Sequence, residues 1–385
     1  MQTYYFDHSA STPPYESVIR TVAELMAQHY ANPSALHRAG TEAHKLIERA
    51  REAVAGLLGA AAGEVIFTSG GTESNNLAIK GILGAGGRKP KHLITTAIEH
   101  SSVYGTARQL ESEGVRVTFV APNAQGRIEA ADIETAIGPD TALVSVMHVN
   151  NETGVVQPVE EIGRLLRAHP KVRLHVDGVQ ALGKVQLDWA ASGVDLYSAS
   201  AHKFRGPRGA GFLLVREGIR LTPQLTGGGQ ESDARSGTHN LPGIVGMAQA
   251  LRLALESLPE RRARMYALRS RLIGGIKTIP ELVLNVPEEE RLVSPQIVNL
   301  SYPGMRPEVL LHMLEQQGIL ISTQSACSSK SLKPSRVLMA MGLGEARSTG
   351  SIRISFGDEH VEADIDILTE RLRTAVAKLK LLERN

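Results

Sequence analysis

The sequence is poor in cysteine, in net charge and in long apolar runs. Cys327 is the only cysteine among 385 residues, which excludes an internal disulfide and a zinc cluster built on cysteines. No apolar run reaches the ~18 residues of a membrane span, and the first residues lack the basic start and apolar core of a signal peptide. Lys and Arg number 42 against 40 Asp and Glu, so no strong field favours nucleic acid or an anionic membrane. We therefore expect a cytoplasmic protein without a metal site, a membrane segment or direct nucleic-acid binding.

Strand-like and helix-like segments alternate up to about residue 255. Apolar runs that predict strands lie at 65–68, 93–97, 115–120, 142–149, 172–176 and 196–199. Segments with helical spacing alternate with these runs, and one precedes them at 41–58, with Thr41 as a candidate N-cap and Gly59 as a stop. This alternation predicts an α/β domain, residues 13–255, with a mostly parallel sheet covered by helices on both faces.

The pattern changes after about residue 255. A long helical stretch towards residue 279 is followed by strand-like runs at 297–302 and 319–322, with a helix between them. An amphipathic helix closes the chain. We expect a smaller α+β domain formed by residues 256–385 together with 1–12, and a polar cysteine loop at about 322–335.

The segment SGGTES at 69–74 joins a predicted strand to a predicted helix. Gly71 lets the backbone approach a ligand and Thr72 adds a hydroxyl donor, while the free N–H groups and positive dipole of a helix start favour phosphate. A capped turn without a ligand explains the same residues equally well. By itself the segment leaves both interpretations open.

Polar side chains follow other predicted strands, at the edge where open α/β sheets bind ligands. Asp177 either caps the next segment or holds a proton on a heterocyclic nitrogen, with Gln180 nearby. His100 either is an ordinary strand-end histidine or stacks on a flat ring. Asn150 and Asn151 supply amide donors or only form a turn.

Lys203 lies between a strand end and a glycine-rich bend, just after Ser200 and His202. Most lysines are surface charges, so this lysine alone indicates little. A phosphate cradle, a carboxylate for a pyridine nitrogen, a stacking imidazole and a strand-end lysine are together what pyridoxal phosphate requires. Their order along the chain favours a pyridoxal phosphate site.

The chain resembles, nearly end to end, the group I cysteine desulfurases, which are fold-type-I pyridoxal phosphate enzymes of the class V aminotransferase family. The motifs that carry the resemblance include YFDHSASTPP, NPSALHRAG, IFTSGGTESNN, VNNETGVVQP, HVDGVQALGK, SASAHKFRGPRGAG, RSGT, QSACSS and GSIRISFG. The resemblance implies an aspartate-aminotransferase-like large domain and pyridoxal phosphate as the cofactor.

The resemblance also implies a role for each matching residue. Lys203 would bind the cofactor covalently, Asp177 would pair with its ring nitrogen, and Gln180 with its ring hydroxyl oxygen. His100 would stack on the ring, and Asn151 would lie close to cofactor and substrate. The phosphate would be held by Gly71, Thr72, Ser200 and His202, and by Thr238 reaching over from the partner of a homodimer. Arg353 would bind the substrate carboxylate bidentately, as its planar fork allows.

Cys327 lies in a polar setting, although free cysteines are more often small buried hydrophobic residues. The resemblance makes it the residue that takes sulfur from L-cysteine as a persulfide, leaving L-alanine. A thiol with an ordinary pKa of about 8.5 needs local help to form the attacking thiolate. The sulfur would pass to a protein acceptor, either an iron–sulfur scaffold or a tRNA thiolation enzyme.

Three positions depart from the family pattern, and three other functions stay open. Gln324 stands where the family usually has glycine, and Ser232 and Asp233 replace an arginine and a glycine in GGGQERG.

A class V aminotransferase would not need the cysteine loop, whereas a selenocysteine lyase would carry the same residues. The alternative of another class is a non-catalytic sulfur-relay scaffold, which the intact set of Lys203 and its partners disfavours.

Overall fold

The computed structural model describes residues 2–85, 91–323 and 333–382. The strands found there are β1 (Tyr4–Tyr5), β2 (Val65–Thr68), β3 (His92–Thr96), β4 (Arg116–Val120), β5 (Thr141–Met147), β6 (Arg173–Asp177), β7 (Leu196–Ser200), β8 (Gly211–Val215), β9 (Val283–Leu284), β10 (Ile297–Ser301), β11 (Ile319–Leu320) and β12 (Ser351–Ser355). Each predicted strand of the large sheet has a counterpart, with ends that differ by a few residues.

The helices of the described residues cover the sheets. They are α1 (Glu16–Gln28), α2 (Arg38–Leu58), α3 (Gly71–Gly84), α4 (Ser101–Ser112), α5 (Ala130–Ala136), α6 (Val159–Leu166), α7 (Leu241–Glu256), α8 (Leu258–Lys277), α9 (Pro307–Glu315), α10 (Arg336–Ala340), α11 (Glu345–Thr349) and α12 (Glu362–Leu382). Short 3₁₀ turns lie at Ala62–Glu64, Ala201–Lys203, Glu231–Asp233 and Glu290–Leu292. None of these helices is both long and apolar enough to cross a membrane.

Seven strands form the large sheet, in the order β2-β8-β7-β6-β5-β3-β4. The strands from β7 to β4 are parallel, while β8 runs antiparallel to both β7 and β2. The prediction of a mostly parallel sheet in an α/β fold is therefore confirmed. Because parallel strands end at the same edge, residues that follow β3, β5, β6 and β7 are brought together there.

Two hydrophobic clusters cover opposite faces of this sheet. Ile94 packs on the face that α2, α6 and α7 cover, whereas its neighbour Leu93 packs on the face that α3 and α4 cover. Successive side chains of a strand point to opposite faces, so a strand buried on both faces is apolar throughout. This explains why the predicted strands were continuous apolar runs rather than alternating ones.

A third cluster lies against the antiparallel sheet β12-β10-β9. It joins Phe6 with apolar residues of α8, α9 and α12, such as Leu272, Leu310 and Leu368. Strand β1 also pairs in parallel with β11, which joins the start of the chain to its last third. The division at residues 12/13 and 255/256 stays a prediction.

Two helix starts differ from the sequence predictions. Helix α2 begins at Arg38, because the ring of His37 rather than the side chain of Thr41 accepts a hydrogen bond from the main chain at Gly40. The long helix expected from residue 255 is divided at Ser257, and α8 begins at Leu258. Pro259 has no N–H to donate to the preceding turn, so it favours a new helix start at this point.

Candidate active site

A cavity of about 200 Å³ opens where the parallel strands end. Its lining includes most residues that the sequence singled out: Gly71, Thr72, His100, Asn151, Asp177, Gln180, Ser200, His202, Lys203 and Arg353. The remaining lining comes from Ser9, Ala10, Asn75, Ser102, Met147, Val149 and Val179. Residues that are far apart in sequence thus share one concave site.

The start of α3 forms one wall of the cavity. Gly70 has φ +147°, and no side chain caps the helix that begins at Gly71. A Cβ at Gly71 would lie 2.6 Å from Cγ2 of Val179, so only glycine fits there without a shift of its neighbours. The first N–H groups of this 14-residue helix are left for an anion, beside Ser200 of β7.

Asp177 ends β6 and is 4% exposed. Its Oδ2 accepts a hydrogen bond from Nδ2 of Asn75 at 2.8 Å, and its Oδ1 accepts one from the main-chain N–H of Val179 at 3.0 Å. The Oδ1 atom of Asn75 is buried and has no hydrogen-bond partner within the described ranges of the chain. Two donors fix the orientation of a buried carboxylate that borders the cavity, which suits a carboxylate that holds a positive ring N–H.

His100 caps the N-terminus of α4 and borders the same cavity. Its Nδ1 accepts a hydrogen bond from the main-chain N–H of Ser102 at 3.2 Å, which leaves the proton of the neutral ring on Nε2. Burial lowers the pKa of His100, and Lys203 adds to this although Asp177 opposes it. His100 therefore presents a neutral ring at pH 7.

Lys203 ends the 3₁₀ turn that follows β7. Its Nζ donates to the main-chain oxygens of Ser9 at 2.6 Å and Ala10 at 2.8 Å. The carbonyl of Lys203 accepts a hydrogen bond of 2.7 Å from Nζ of Lys184. Burial lowers the pKa of Lys184 to about 8, and Arg261 adds to the effect. The lysine side chain is therefore held in the cavity by the N-terminal segment, and its main chain by a second lysine.

The neighbouring His202 and Gln180 also contact the N-terminal segment. Nδ1 of His202 lies 3.2 Å from Oγ of Ser11, and burial lowers the pKa of His202 to about 4, helped by Lys203. Nε2 of Gln180 donates to the main-chain oxygen of Ser9 at 2.9 Å. His202 is therefore neutral at pH 7, so it offers a ligand a hydrogen bond rather than a positive charge.

Arg353 lies in β12 and is 1% exposed. Its Nη1 donates to the main-chain oxygen of Asn151 at 3.0 Å, and its Nη2 to Oδ1 of Asp7 at 2.9 Å. Its Nε has no hydrogen-bond partner among the described residues. The guanidinium is thus fixed beside the cavity, and a buried arginine with unused N–H groups is suited to binding a carboxylate.

Cys327 and Gln324 lie outside the described residues, but the chain on either side of them meets the site. Ser322 exchanges two main-chain hydrogen bonds with Arg353, at 2.7 and 3.2 Å. Arg336, at the start of α10, donates to the main-chain oxygens of Ala97 and Glu99, immediately before His100. The segment that holds the cysteine therefore leaves and rejoins the described structure beside cavity residues.

Among the predicted site residues that the structure describes, Thr238 is the one that this chain does not bring to its own cavity. It is exposed in the segment between β8 and α7 and is absent from the cavity lining. Its predicted contact was with a partner subunit, so its role stays a prediction. Asn75, Ser9 and Ala10 were missed, although each lies within a motif of the sequence, because only the fold shows what their polar atoms contact.

The family model of the class V aminotransferases matches residues 4–368. The chain belongs to this family. Cysteine desulfurase IscS of Clostridium botulinum (strain Hall) is 42% identical to it, over 96% of this chain and 93% of the relative. Among solved structures, a NifS-like protein superposes with a TM-score of 0.92 at 35% identity, covering 98% of this chain and all of that one. SspA in complex with cysteine gives a TM-score of 0.81 at 37% identity, covering 93% and 100%.

Enzymes of the class V aminotransferase family generally use pyridoxal phosphate. The described residues fit this group: an uncapped helix start for a phosphate, a fixed carboxylate for a ring nitrogen, and a lysine beside both. A Cβ at Gly71 would crowd the cradle, and the free Oδ1 of Asn75 borders the cavity. Each of these observations is independent of the family match.

Proposed function

We propose that this protein is a pyridoxal phosphate-dependent cysteine desulfurase. It converts L-cysteine to L-alanine and keeps the sulfur as a persulfide on Cys327. The observation that carries the proposal is the cavity in which Lys203, Asp177 and Arg353 meet. Kinship with a protein named cysteine desulfurase, at 42% identity over nearly the whole chain, supports the same substrate.

Different residues of the cavity bind different parts of the cofactor. Gly71 and Thr72, at the start of α3, hold the phosphate together with Ser200 and His202. Asp177 would accept a hydrogen bond from the ring N–H, and His100 would stack on the ring. Gln180 would donate to the ring oxygen, and Asn151 would lie close to cofactor and substrate. When bound, pyridoxal phosphate supplies an electron sink for negative charge on the substrate Cα.

Three side chains act on the substrate. Arg353 binds the carboxylate, which fixes the Cα–H bond of L-cysteine towards Lys203. Nζ of Lys203, once neutral, removes that proton and returns one to the carbon framework. His100 is a catalytic residue with a neutral ring whose proton is on Nε2, so it can donate that proton within the cavity and then take one back.

Cys327 completes the reaction. Its thiolate attacks the substrate sulfur, so an S–S bond forms on the protein as the substrate C–S bond breaks. The electron pair of the broken bond stays with the carbon framework, which is protonated and leaves as L-alanine. Ser322 and Arg336 support this role, because they place both ends of the cysteine segment beside the cavity.

The experiment that tests the proposal follows L-alanine and protein-bound sulfur in three proteins. The wild type should form L-alanine and gain the mass of one sulfur atom per chain. Cys327→Ala should lose the sulfur adduct and turnover while keeping the absorption of the bound cofactor, and Lys203→Ala should lose turnover and the wild-type absorption band. Release of sulfide by Cys327→Ala at the wild-type rate would contradict the persulfide role.

The same assay separates the alternative functions. An aminotransferase would convert its amino acid to a keto acid without needing Cys327, and a selenocysteine lyase would show kcat/KM for selenocysteine well above that for cysteine. A non-catalytic scaffold would form no L-alanine at all. We expect cysteine turnover that depends on both Lys203 and Cys327.

We further propose that the protein works as a homodimer in the cytoplasm, with Thr238 reaching the phosphate in the partner's site. The exposed position of Thr238, outside its own cavity, supports this arrangement. The sulfur passes to a protein acceptor, an iron–sulfur scaffold or a tRNA thiolation enzyme. Transfer of radiolabelled persulfide from Cys327 to candidate acceptors of the same cell identifies which.

A further inference from the structure

Three side chains with metal-binding chemistry meet behind the lysine. His8 follows β1 in the N-terminal segment, whereas Glu359 and His360 lie between β12 and α12. One possible ligand atom from each lies within 4.8 Å of the others. The closest pair is Nε2 of His8 and Oε1 of Glu359, at 3.0 Å. Residues more than 340 positions apart in sequence thus form one cluster.

His8 carries the argument, because its ring is buried and incompletely satisfied. It is 3% exposed, and neither ring nitrogen makes a hydrogen bond of good geometry with any described residue, although Nε2 lies 3.0 Å from Oε1 of Glu359. Buried polar groups in proteins nearly always have a well-aligned partner, so this imidazole calls for a ligand. A neutral imidazole nitrogen is the commonest protein ligand of metal ions, so a metal ion is one partner that suits this ring.

The surroundings of the cluster resemble the outer shell of a metal site. Nδ1 of His360 contacts the main chain of Gly357, accepting from its N–H at 3.1 Å and lying 3.4 Å from its carbonyl oxygen. Metal binding through Nε2 requires the other tautomer, in which Nδ1 carries the proton and donates to that carbonyl. Arg205 Nη1 lies 3.3 Å from Oε2 of Glu359, which leaves Oε1 towards His8. The ring of Phe6 packs on His360 at 4.5 Å, so one side of the cluster is apolar.

We propose that His8, Glu359 and His360 bind one divalent transition-metal ion of the Zn²⁺ type, with water as the fourth ligand. Two imidazoles and one carboxylate are a common zinc ligand set, and Zn²⁺ lies about 2.0–2.2 Å from such atoms, which places them roughly 3.4 Å apart. His8 and Glu359 already meet this spacing, and His360 needs a side-chain shift. Glu359, 39% exposed at its side chain, leaves a path for the ion from solvent.

The ion would act on the active site through the main chain. Ser9 and Ala10, the two residues after His8, accept the hydrogen bonds of Lys203 Nζ. A metal that joins His8 to the chain after β12 fixes those two carbonyls relative to Lys203. The site is therefore structural, and it does not depend on the proposed desulfurase reaction.

Zn²⁺ alone is the probe for the test. The holoenzyme carries Cys327→Ser so that the thiol cannot bind metal, is stripped with a chelator, and is then titrated with Zn²⁺ by calorimetry. We expect one Zn²⁺ per chain and a rise in Tm with Zn²⁺ concentration. His8→Ala and Glu359→Gln in the same background should weaken binding by about tenfold or more. Glu359→Gln preserves the shape of a half-exposed side chain, so it tests the ligand even if His8→Ala folds poorly.

His312→Ala is the matched control. His312 forms an exposed pair with Glu315, with Nδ1 3.2 Å from Oε2, and so reproduces the His–Glu contact without burial or a third ligand. Its loss should leave Zn²⁺ affinity and the Tm response unchanged. Equal Zn²⁺ binding by the parent protein and Glu359→Gln would overturn the proposal, and so would the absence of a stoichiometric site in the parent. Either result would leave His8 and Glu359 as an ion pair only.

Discussion

At the scale of single residues, hydrogen bonds hold both the side chain and the main chain of Lys203 in position. Its Nζ donates to the carbonyls of Ser9 and Ala10, and its own carbonyl accepts from Lys184. Lys184 is half-buried, and desolvation lowers its pKa to about 8, which brings its neutral form within reach at mildly alkaline pH. A half-buried lysine that donates to the main chain of the reactive lysine is a positioning residue, since it does not border the cavity.

We expect Lys184→Met to lower kcat/KM for L-cysteine by about tenfold, equivalent to ~1.4 kcal/mol, because the hydrogen bond to the Lys203 carbonyl is lost. The shift of Lys203 should also change the absorption spectrum of the bound cofactor and its dependence on pH. Steady-state kinetics and spectra recorded from pH 6 to 9 measure both.

Lys45→Met is the control for removing a lysine, because Lys45 is exposed on α2. It should match the wild type in kinetics and spectrum. Wild-type kinetics and spectrum in folded Lys184→Met would show that Lys184 does not position Lys203.

At the scale of elements, Glu231 connects three segments by hydrogen bonds. Its carboxylate accepts two from Arg51 of α2, at 2.7 and 2.8 Å, and one from the main-chain N–H of Phe67 in β2, at 2.8 Å. It also lies 2.5 Å from Nε2 of His239. These contacts hold a strained turn, since Glu231, Ser232 and Asp233 all have φ between +51° and +65°. Asp233 stands where the family pattern has glycine. Glycine would adopt this left-handed conformation more easily, because it has no Cβ.

We expect acid to remove much of the stability that Glu231 provides. Burial raises the pKa of Glu231, but hydrogen bonds from Arg51 and His239 outweigh it and lower the pKa from 4.5 to about 2. Because the pKa is lower in the folded state, the ionised carboxylate stabilises the fold fully above about pH 4.5. This contribution is lost as the pH falls towards 2. The shift corresponds to roughly 3 kcal/mol.

Glu231→Gln should therefore lower the free energy of unfolding at pH 7 by about 3–5 kcal/mol, since Arg51 is left without its buried partner. The difference from the wild type should shrink as the pH falls from 4.5 towards 2. Urea unfolding at a series of pH values measures this. Exposed Glu217→Gln serves as the control, and a wild-type unfolding curve for Glu231→Gln would refute the argument.

At the scale of the whole molecule, the site is expected to be shared between two chains. Thr238 is exposed and lies away from its own cavity, whereas every other predicted cofactor residue lines that cavity. Most symmetric oligomers are two-fold dimers, in which both chains make the same contacts with each other. A Thr238 that acts on the partner's phosphate requires such a dimer.

Mixing two inactive variants tests the shared site. Lys203→Ala abolishes the reactive lysine, and Thr238→Asp places a negative charge against the phosphate of the partner's site. A heterodimer of the two contains one site with wild-type Lys203 and wild-type Thr238, so random mixing should restore about a quarter of wild-type activity. Refolding or subunit exchange followed by the L-alanine assay measures it. No gain over the separate variants would place Thr238 in its own chain's site or outside any site.

The sequence by itself determined the alternation of strands and helices around the large sheet and ten of the residues that line the cavity. Apolar runs marked strands buried on both faces, and the polar residues after them fell at one sheet edge because parallel strands share that edge. Local signals were weaker at element ends, where His37 rather than Thr41 caps α2 and Pro259 restarts a helix.

Only the tertiary structure decided which distant atoms meet. Ser9 and Ala10 lie against Lys203, Asn151 against Arg353, and His8 against Glu359, across separations of 193 residues or more in each case. These contacts involve carbonyl oxygens and loop side chains, which carry no periodic pattern. They form only when the two ends of the chain pack on one sheet edge, so no local rule of sequence could have predicted them.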